Sequence, residues 1–413
     1  MAKAVGEDAA VSVRDGLGRQ SLGVAVLALA MAVAVFPSLS LGVLATFLFD
    51  DLGITRTQLG IAVASVSAVA AATSIWLGGI ADRRGGRLTL LAVFVLAALA
   101  IAGYAAAPTY LALLGATIFG GLCQGVSNPA SNRLVMENFP PKRRGLITGI
   151  KQAGEMVALV LCGALLPVGA LAIGWRGALA LASLVPAFAI VLVLVGVPAR
   201  RGPEYRATDP REAGPISAQV RWLAGHALLM GLSGGAISAY LPLYAHESVG
   251  LSIIAAGQVV ALIGVVAIVG RVLWGHFAGR SESSIDPLIA ISVLAAGGAI
   301  AMGAASWFGP AMLVAGAIVW GASQLSYGSV SMLAAMNAST HQNAGRASGV
   351  VLVGFSLGLM SGPPLFGGSV DLTGSYAPGF IGVVADLTSA TTLVLLWRRH
   401  DRRPVASRIA RIS

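Results

Sequence analysis

Polar residues are confined to short strips of this chain, and between them lie long apolar runs. The runs fall at about 21–49, 57–80, 88–106, 109–135, 145–172, 177–198, 219–244, 252–277, 286–305, 309–335, 346–369 and 377–397. Each is long enough to cross a bilayer as a helix, which takes about 20 predominantly apolar residues. Twelve crossings predict both termini on one side. The basic residues say which side, because lysine and arginine concentrate in cytoplasmic strips. Alternate strips carry Lys3, Arg14 and Arg19; Arg83, Arg84 and Arg87; Lys142, Arg143 and Arg144; Arg200, Arg201, Arg206 and Arg211; Arg280; and Arg398, Arg399, Arg402, Arg403, Arg408 and Arg411. The opposite strips offer Arg56 and Arg176. Both ends are therefore expected in the cytoplasm.

The pattern also repeats. LGITRTQLG (52–60) aligns with VGLSIIAAG (249–257), pairing Gly53 with Gly250 and Gly60 with Gly257. The same offset of 197 pairs Gly78 with Gly275, Ala81 with Ala278 and Arg83 with Arg280. An offset of 200 then pairs GLITG (145–149) with GRASG (345–349), Gly154 with Gly354 and Gly174 with Gly374. The expected fold is an all-α membrane protein of twelve transmembrane helices in two pseudo-symmetric six-helix bundles. Residues 1–20 form a cytoplasmic tail, 21–198 the first half, 199–218 a cytoplasmic linker, 219–397 the second half and 398–413 a basic tail. Parallel six-helix repeats with a midplane site between them describe one known transporter architecture.

Composition closes off other classes. Of 413 residues, 56% are apolar and 11% charged, against about 25% charged in soluble domains. So few charges cannot cover a water-soluble body, and the mean hydropathy of +0.83 agrees. The 53 glycines suit helices that pack backbone to backbone in lipid. A net charge of +10 could suggest nucleic acid. Its charges sit in membrane-boundary strips without aromatic interleaving, so no nucleic-acid partner is expected. Cys123 and Cys162 lie inside apolar runs and imply no disulfide framework. The first run is too long for a signal-peptide core and lacks a small-x-small cleavage pattern, so it reads as a retained helix.

Between the second and third runs stands GGIADRRGGR, residues 78–87. It resembles the signature loop of the major facilitator superfamily, roughly G-x-L-A-D-R-x-G-R-R, matching at Gly78, Asp82, Arg83, Gly85 and Arg87. The resemblance extends over about 20–398. It implies a conformational latch in this loop, clasping helices by an acid beside several arginines. The second-half copy, GRVLWGHFAGR (270–280), keeps Gly270, Arg271, Gly275 and Arg280 but has Gly279 in place of the acid, implying a weaker second latch. Two departures matter. Gly121 stands three residues before Gln124-Gly125, where proton-coupled members often carry arginine. The fifth helix reads GEMVALVLCG (154–163) rather than the G-P-x-x-G-G of drug/proton antiporters. The segment GPPLFGGSVDLTGSY (362–376) is similar to one in monocarboxylate and oxalate/formate-type facilitators. Pro363 and Pro364 are expected to break its helix, and Asp371 and Thr373 to cap or tie the outer loop. GIKQAG (149–154) resembles a branch near the cyanate and nitroimidazole carriers.

The embedded charges carry the functional expectation. Lys151 and Glu155 are spaced i, i+4 and can pair. An ionisable group at the bilayer centre costs about 2.5–3.5 kcal/mol, so it is normally paired or functional. Lys151 is a candidate anchor for an anionic substrate and Glu155 a candidate titrating group. The competing reading has Lys151 snorkelling to the cytoplasm and Glu155 neutralising it. Gln152 shares the neighbourhood. Asp386 reads as a structural contact, His226 as an interfacial side chain, and Arg133 and Arg271 as snorkelling or latch residues. The resemblance implies cavity-lining helices one, four, seven and ten. Their polar candidates are Phe36, Ser40, Gln124, Asn128, Ser233, Tyr240, Trp320, Gln324 and Tyr327.

The expected function is secondary active transport by alternating access, since no G-x-x-x-x-G-K-[ST] loop is present to cradle nucleotide. The leading substrate is a small organic anion such as a monocarboxylate, with proton coupling through Glu155 left open. The alternative is a drug-like amphipathic compound. No clustered Ser/His/Asp or metal-ligand set suggests an enzyme, a metal or a cofactor. The short linker and tail leave no output domain for a sensor. The resemblance implies a monomer in the cell's inner membrane.

Overall fold

The computed structural model describes residues 2–197, 217–281, 283, 285–338 and 344–409. Fourteen α-helices are found among them: α1 (Ala2–Val43), α2 (Ala45–Leu52), α3 (Arg56–Arg84), α4 (Gly86–Ala106), α5 (Tyr110–Asn138), α6 (Pro141–Ala182), α7 (Leu184–Gly196), α8 (Ala218–Glu247), α9 (Ile253–Arg280), α10 (Ile285–Phe308), α11 (Pro310–Ser323), α12 (Tyr327–Asn337), α13 (Ala344–Thr373) and α14 (Ala377–Ile409). Ten segments are individually long and apolar enough to cross a membrane. One of them, Lys142–Gly196, holds two crossings, because the backbone leaves helical geometry at Gly174. Gly169 then faces Ala178 across the turn. The tenth crossing is divided by a 3-10 turn at Gln324–Ser326 between α11 and α12. With those two, the crossings number twelve, in two six-helix bundles.

Local chemistry starts several of these helices. Thr55 and Gln58 form a reciprocal capping box on α3. Thr109, Ser217 and Ser252 each accept the third backbone N–H of α5, α8 and α9. The turns repeat between halves as the glycine pairs do. Gly53 and Gly250 have φ of 60° and 78°, and Gly174 and Gly374 have 75° and 69°, a region that costs a glycine no β-carbon clash.

Small residues bring helices into backbone contact within each bundle. A β-carbon at Gly154 would overlap the carbonyl oxygen of Ala28 on α1. At the lipid-facing surface Leu165, Val195, Leu273 and Leu372 are exposed, as suits an apolar solvent.

Two elements differ from expectation. The proline pair does not break the eleventh crossing, since α13 runs unbroken from Ala344 to Thr373. Helix α8 packs so closely there that a β-carbon at Gly235 would lie 2.8 Å from Leu359 O, a carbonyl whose intrahelical donor Pro363 removes. Neighbouring helices of this kind make proline tolerable in membrane spans. The signature segment 78–87 is likewise no open loop. Helix α3 continues to Arg84, Gly85 alone makes the turn at φ 84°, and α4 begins at Gly86.

The two bundles meet mainly at the end opposite the termini. There Gly60 of α3 would place a β-carbon 2.6 Å from Pro363 O, and Gly42 of α1 one 2.9 Å from Ala239 O. Deeper in, Gly163 and Gly257 bring α6 onto α9. At the end carrying the termini, α5 makes no comparable approach to α11 or α12, and Leu146, Met332 and Met336 are exposed. Among the described residues the two halves are thus in close contact at one end and apart at the other.

Candidate functional site

Lys151 lies nine residues along α6 from Lys142, about 13 Å at 1.5 Å per residue. It is 1% exposed. Its Nζ donates to Ser131 Oγ at 2.8 Å, Asn132 Oδ1 at 2.5 Å and Asn128 Oδ1 at 3.5 Å. These acceptors share one face of α5. An ammonium has three protons, and three oxygens receive them. Lys151 therefore does not snorkel to the membrane surface, and it does not pair with Glu155. The α5 oxygens are neutral, so hydrogen bonding is satisfied while the charge is not cancelled. Among the described residues Lys151 forms no ion pair.

Glu155 turns instead to the other half, where Arg271 of α9 places Nη2 3.5 Å from Oε2. Arg271 Nε donates to Leu325 O at 3.1 Å and Nη1 to Gln152 O at 3.3 Å. Expected as a snorkelling or latch residue, Arg271 faces inward and ties the fifth, eighth and tenth spans together. Leu325 belongs to the 3-10 turn, where helical hydrogen bonding lapses and a carbonyl is available. Trp274 Nε1 likewise donates to Ala322 O at 2.8 Å. Two cations and one carboxylate thus share a belt with net charge +1. Beside it the Oε1 atoms of Gln124 and Gln152 are buried without a partner.

At the closed end a second polar group joins the halves. Asp371, in the last turn of α13, accepts from Arg56 N at 3.1 Å, Thr57 N at 2.7 Å and Thr57 Oγ1 at 2.6 Å. A carboxylate at its own helix C-terminus is disfavoured, and the exposed amides at the start of α3 reverse that. Arg56 Nη2 meets Glu247 Oε2 at 2.7 Å, and Tyr376 donates to the same oxygen at 2.7 Å. Tyr240 donates to Arg56 O at 2.5 Å and stacks on Phe366. A cavity of about 360 Å³ opens beside Arg56, Tyr244, Glu247 and Tyr376.

The family model of the Major Facilitator Superfamily matches residues 24–363. The chain belongs to that superfamily. Over 90% of its length it is 28% identical to the probable nitrate/nitrite transporter NarK2 of Mycobacterium tuberculosis, covering 94% of that protein. It is 31% identical to the hexuronate transporter of Bacillus subtilis over 138 residues, spanning about a third of either chain. Its fold matches the crystal structure of a bacterial homolog of the human lysosomal transporter Spinster with a TM-score of 0.77, at 16% identity, covering 92% of this chain and 97% of that one.

In this facilitator the sequence candidates separate into three places. Gln124, Asn128, Lys151, Gln152, Glu155 and Arg271 gather at the belt. Tyr240 goes to the closed end. Trp320, Gln324 and Tyr327 lie in the interior of the second half. Trp320 packs on Gly298, Gln324 Nε2 donates to Met230 O at 2.6 Å, and Tyr327 lies between His226 and Phe355. Ser40 and Ser233 bond carbonyls of their own helices. His226 is fully buried with Nε2 2.8 Å from Ser292 Oγ, which corrects its expected interfacial place. Asp386 lies against Ser233, with Oδ2 buried and unpartnered.

In the signature segment the Asp82 side chain lies outside the described residues. Arg83 is exposed, Gly78 faces Pro129, and Arg87 Nη2 donates to Leu194 O at 2.7 Å. Glu137 caps α4 at Gly86 N and pairs with Arg133 at 2.7 Å, so Arg133 is buried rather than snorkelling. Sequence reasoning missed Ser131 and Asn132 as partners of Lys151, although the stripe Asn128, Ser131, Asn132 at i, i+3, i+4 was available as a signal. Glu137, Leu325 and the partners of Asp371 carried no comparable signal.

Proposed function

We propose that this facilitator is a secondary active carrier of a small anion, such as a monocarboxylate, working by alternating access. The observation that carries this reading is Lys151: a buried ammonium with hydrogen-bond partners but, among the described residues, no counter-ion, on one belt with Arg271. An uncompensated embedded charge of about 2.5–3.5 kcal/mol insertion cost is stabilised when an anion arrives. That the relatives include proteins named for nitrate, nitrite and hexuronate transport supports the same class.

Both termini lie in the cytoplasm of an inner-membrane protein, as the strips of arginine and lysine indicate. The closed end, with Asp371, Arg56 and Glu247, then faces outward, and the described conformation is open inward. The belt binds substrate between the halves, and the outer contacts between α3 and α13 break when the carrier turns outward. Arg83 and Arg87 at the cytoplasmic end change partners in the same movement.

Purified protein in liposomes tests the assignment with labelled acetate, lactate, nitrate and glucuronate beside a cationic dye. The wild type is expected to carry at least one anion, and Lys151→Ala to reduce that uptake at least tenfold. Uptake of the dye alone, or undiminished anion uptake by Lys151→Ala, would overturn the anion reading in favour of an amphipathic substrate.

A further inference from the structure

We propose that the side-chain amide N–H groups of Asn128 and Asn132 touch the transported anion, and that Lys151 acts behind them as a positioning residue. It turns both amides outward and polarises them. This rests on the anion reading above and names the groups that hold the substrate.

Lys151 itself is badly placed for direct contact. It is 1% exposed, and its three protons go to Asn132, Ser131 and Asn128. Behind it, Ser131 Oγ meets Met31 Sδ of α1 at 3.7 Å. Gly154, one turn along α6, lies against Ala28 of that same helix. In front stand Asn128 and Asn132, both exposed. An anion arriving from the side where the halves stand apart therefore meets the asparagines first. Reaching Nζ would mean displacing two of the oxygens that hold it. Arg271 is engaged as well, with an acceptor on each of its three side-chain nitrogens.

The lysine also decides which end of each amide the anion meets. A carboxamide carries an acceptor oxygen on one side and an NH2 donor on the other, whereas an ammonium offers donors alone. Oδ1 of both asparagines must therefore face Nζ, as the contacts at 2.5 and 3.5 Å record. Each Nδ2 then points away from Nζ, and among the described residues neither donates to an acceptor. Residues spaced i, i+4 share a helix face with Cβ atoms about 5–6 Å apart. One planar oxoanion, a carboxylate or nitrate, can thus take an N–H on each of two oxygens. Donation from the ammonium to Oδ1 strengthens the N–H groups on the far side of the amide, because linked hydrogen bonds polarise one another. Asn132, nearest to Nζ, is polarised most. The pair presents donors and no acceptor outward, so it rejects cations. The anion is held by neutral groups with the charge behind them, and it leaves without breaking a sealed ion pair.

The test combines counterflow in liposomes with nuclear magnetic resonance of the full-length carrier in detergent, labelled with heavy nitrogen at asparagine. The probe is whichever of lactate, nitrate or glucuronate the wild type takes up. Asparagine is scarce in this chain, so the amide signals of Asn128 and Asn132 are assigned by their loss in Asn128→Ala and Asn132→Ala. In the wild type both signals are expected to shift as the anion is added, saturating near the half-saturating concentration of counterflow. Asn128→Ala and Asn132→Ala combined uncover Nζ, yet should raise that concentration at least tenfold while the maximal rate changes less. Asn132→Ala alone should do more than Asn128→Ala alone. Lys151→Met should move both amide signals before any anion is added and abolish their shift on adding it. Signals that stay fixed while the anion binds overturn the proposal, as does a double variant that binds the anion as tightly as the wild type or tighter. Either result assigns the contact to Lys151 or Arg271 and leaves the anion reading intact. Unchanged amide signals in anion-free Lys151→Met overturn the positioning role. A wild type that carries the dye and no anion removes the anion reading and this proposal together. If the double variant does not elute as a folded monodisperse species, the wild-type amide shifts supply the decision.

Discussion

Replacing Asp371 by asparagine probes the outer contact between the halves. The carboxylate accepts two backbone amides and one hydroxyl from the start of α3, at 2.6–3.1 Å. Hydrogen bonds to a charged group are worth about 1.5–3 kcal/mol when buried. Asp371 is an exposed position, so solvent screening discounts this strongly. Asparagine keeps one acceptor oxygen but turns an amide toward the donors of Thr57, losing the charge and at least one bond. A net loss of about 1–2 kcal/mol follows, comparable to removal of a helix cap. Because the donors and the acceptor belong to opposite halves, the loss falls on the equilibrium between inward- and outward-open carrier rather than on folding. The population ratio should move about 5–30-fold toward outward-open. Spin labels on cysteines at Ala112 and Ala311, both exposed at the closed end, would report it as a longer inter-label distance. The native Cys123 and Cys162 are buried and do not compete for label. An unchanged distance distribution with a lowered melting temperature would refute the argument, placing the contact in the folding of one bundle.

Other perturbations separate gate, belt and packing. Arg56→Ala removes an ion pair whose side chains are 33% and 30% exposed; such pairs contribute about 0–1 kcal/mol, so the same labels should shift less than for Asp371→Asn. Gly60→Ala sets a β-carbon 2.6 Å from Pro363 O of the opposite half and should favour the outward-open distance at normal folded yield. Gly154→Ala collides with Ala28 inside one bundle and should lower yield and melting temperature instead. His226→Ala deletes a buried bond to Ser292 and should cost about 1–3 kcal/mol of stability, seen as a lower melting temperature with the half-saturating anion concentration unchanged. Lys151→Arg should not restore uptake, because a larger planar group cannot occupy the pocket made by Asn128, Ser131 and Asn132.

Much of the architecture was legible before any coordinates, for a solvent reason. Lipid offers the backbone no hydrogen bonds, so each crossing must satisfy its own as an apolar helix, and hydropathy displays the crossings directly. The glycine pairs Gly53–Gly250 and Gly174–Gly374 were visible as a repeat because left-handed turns restrict the residue type. Lys151 and Glu155 stood out because charge in an apolar run is costly, whereas Arg271 read as a snorkelling or latch residue. What each charge touches was decided by tertiary structure alone. The i, i+4 spacing offered Glu155 to Lys151, yet the neutral oxygens of α5 surround Lys151, and Glu155 meets Arg271 from a helix more than a hundred residues away. The proline pair suggested a break in the eleventh crossing, whereas the break came in the tenth, at Gln324–Ser326. There no proline marks it, and Arg271 and Trp274 of the neighbouring helix take up carbonyls at the turn. Sequence carries the cost of burying a polar group; only the packed bundles determine which partner meets it, because several candidates lie within reach and the geometry of neighbouring helices chooses among them.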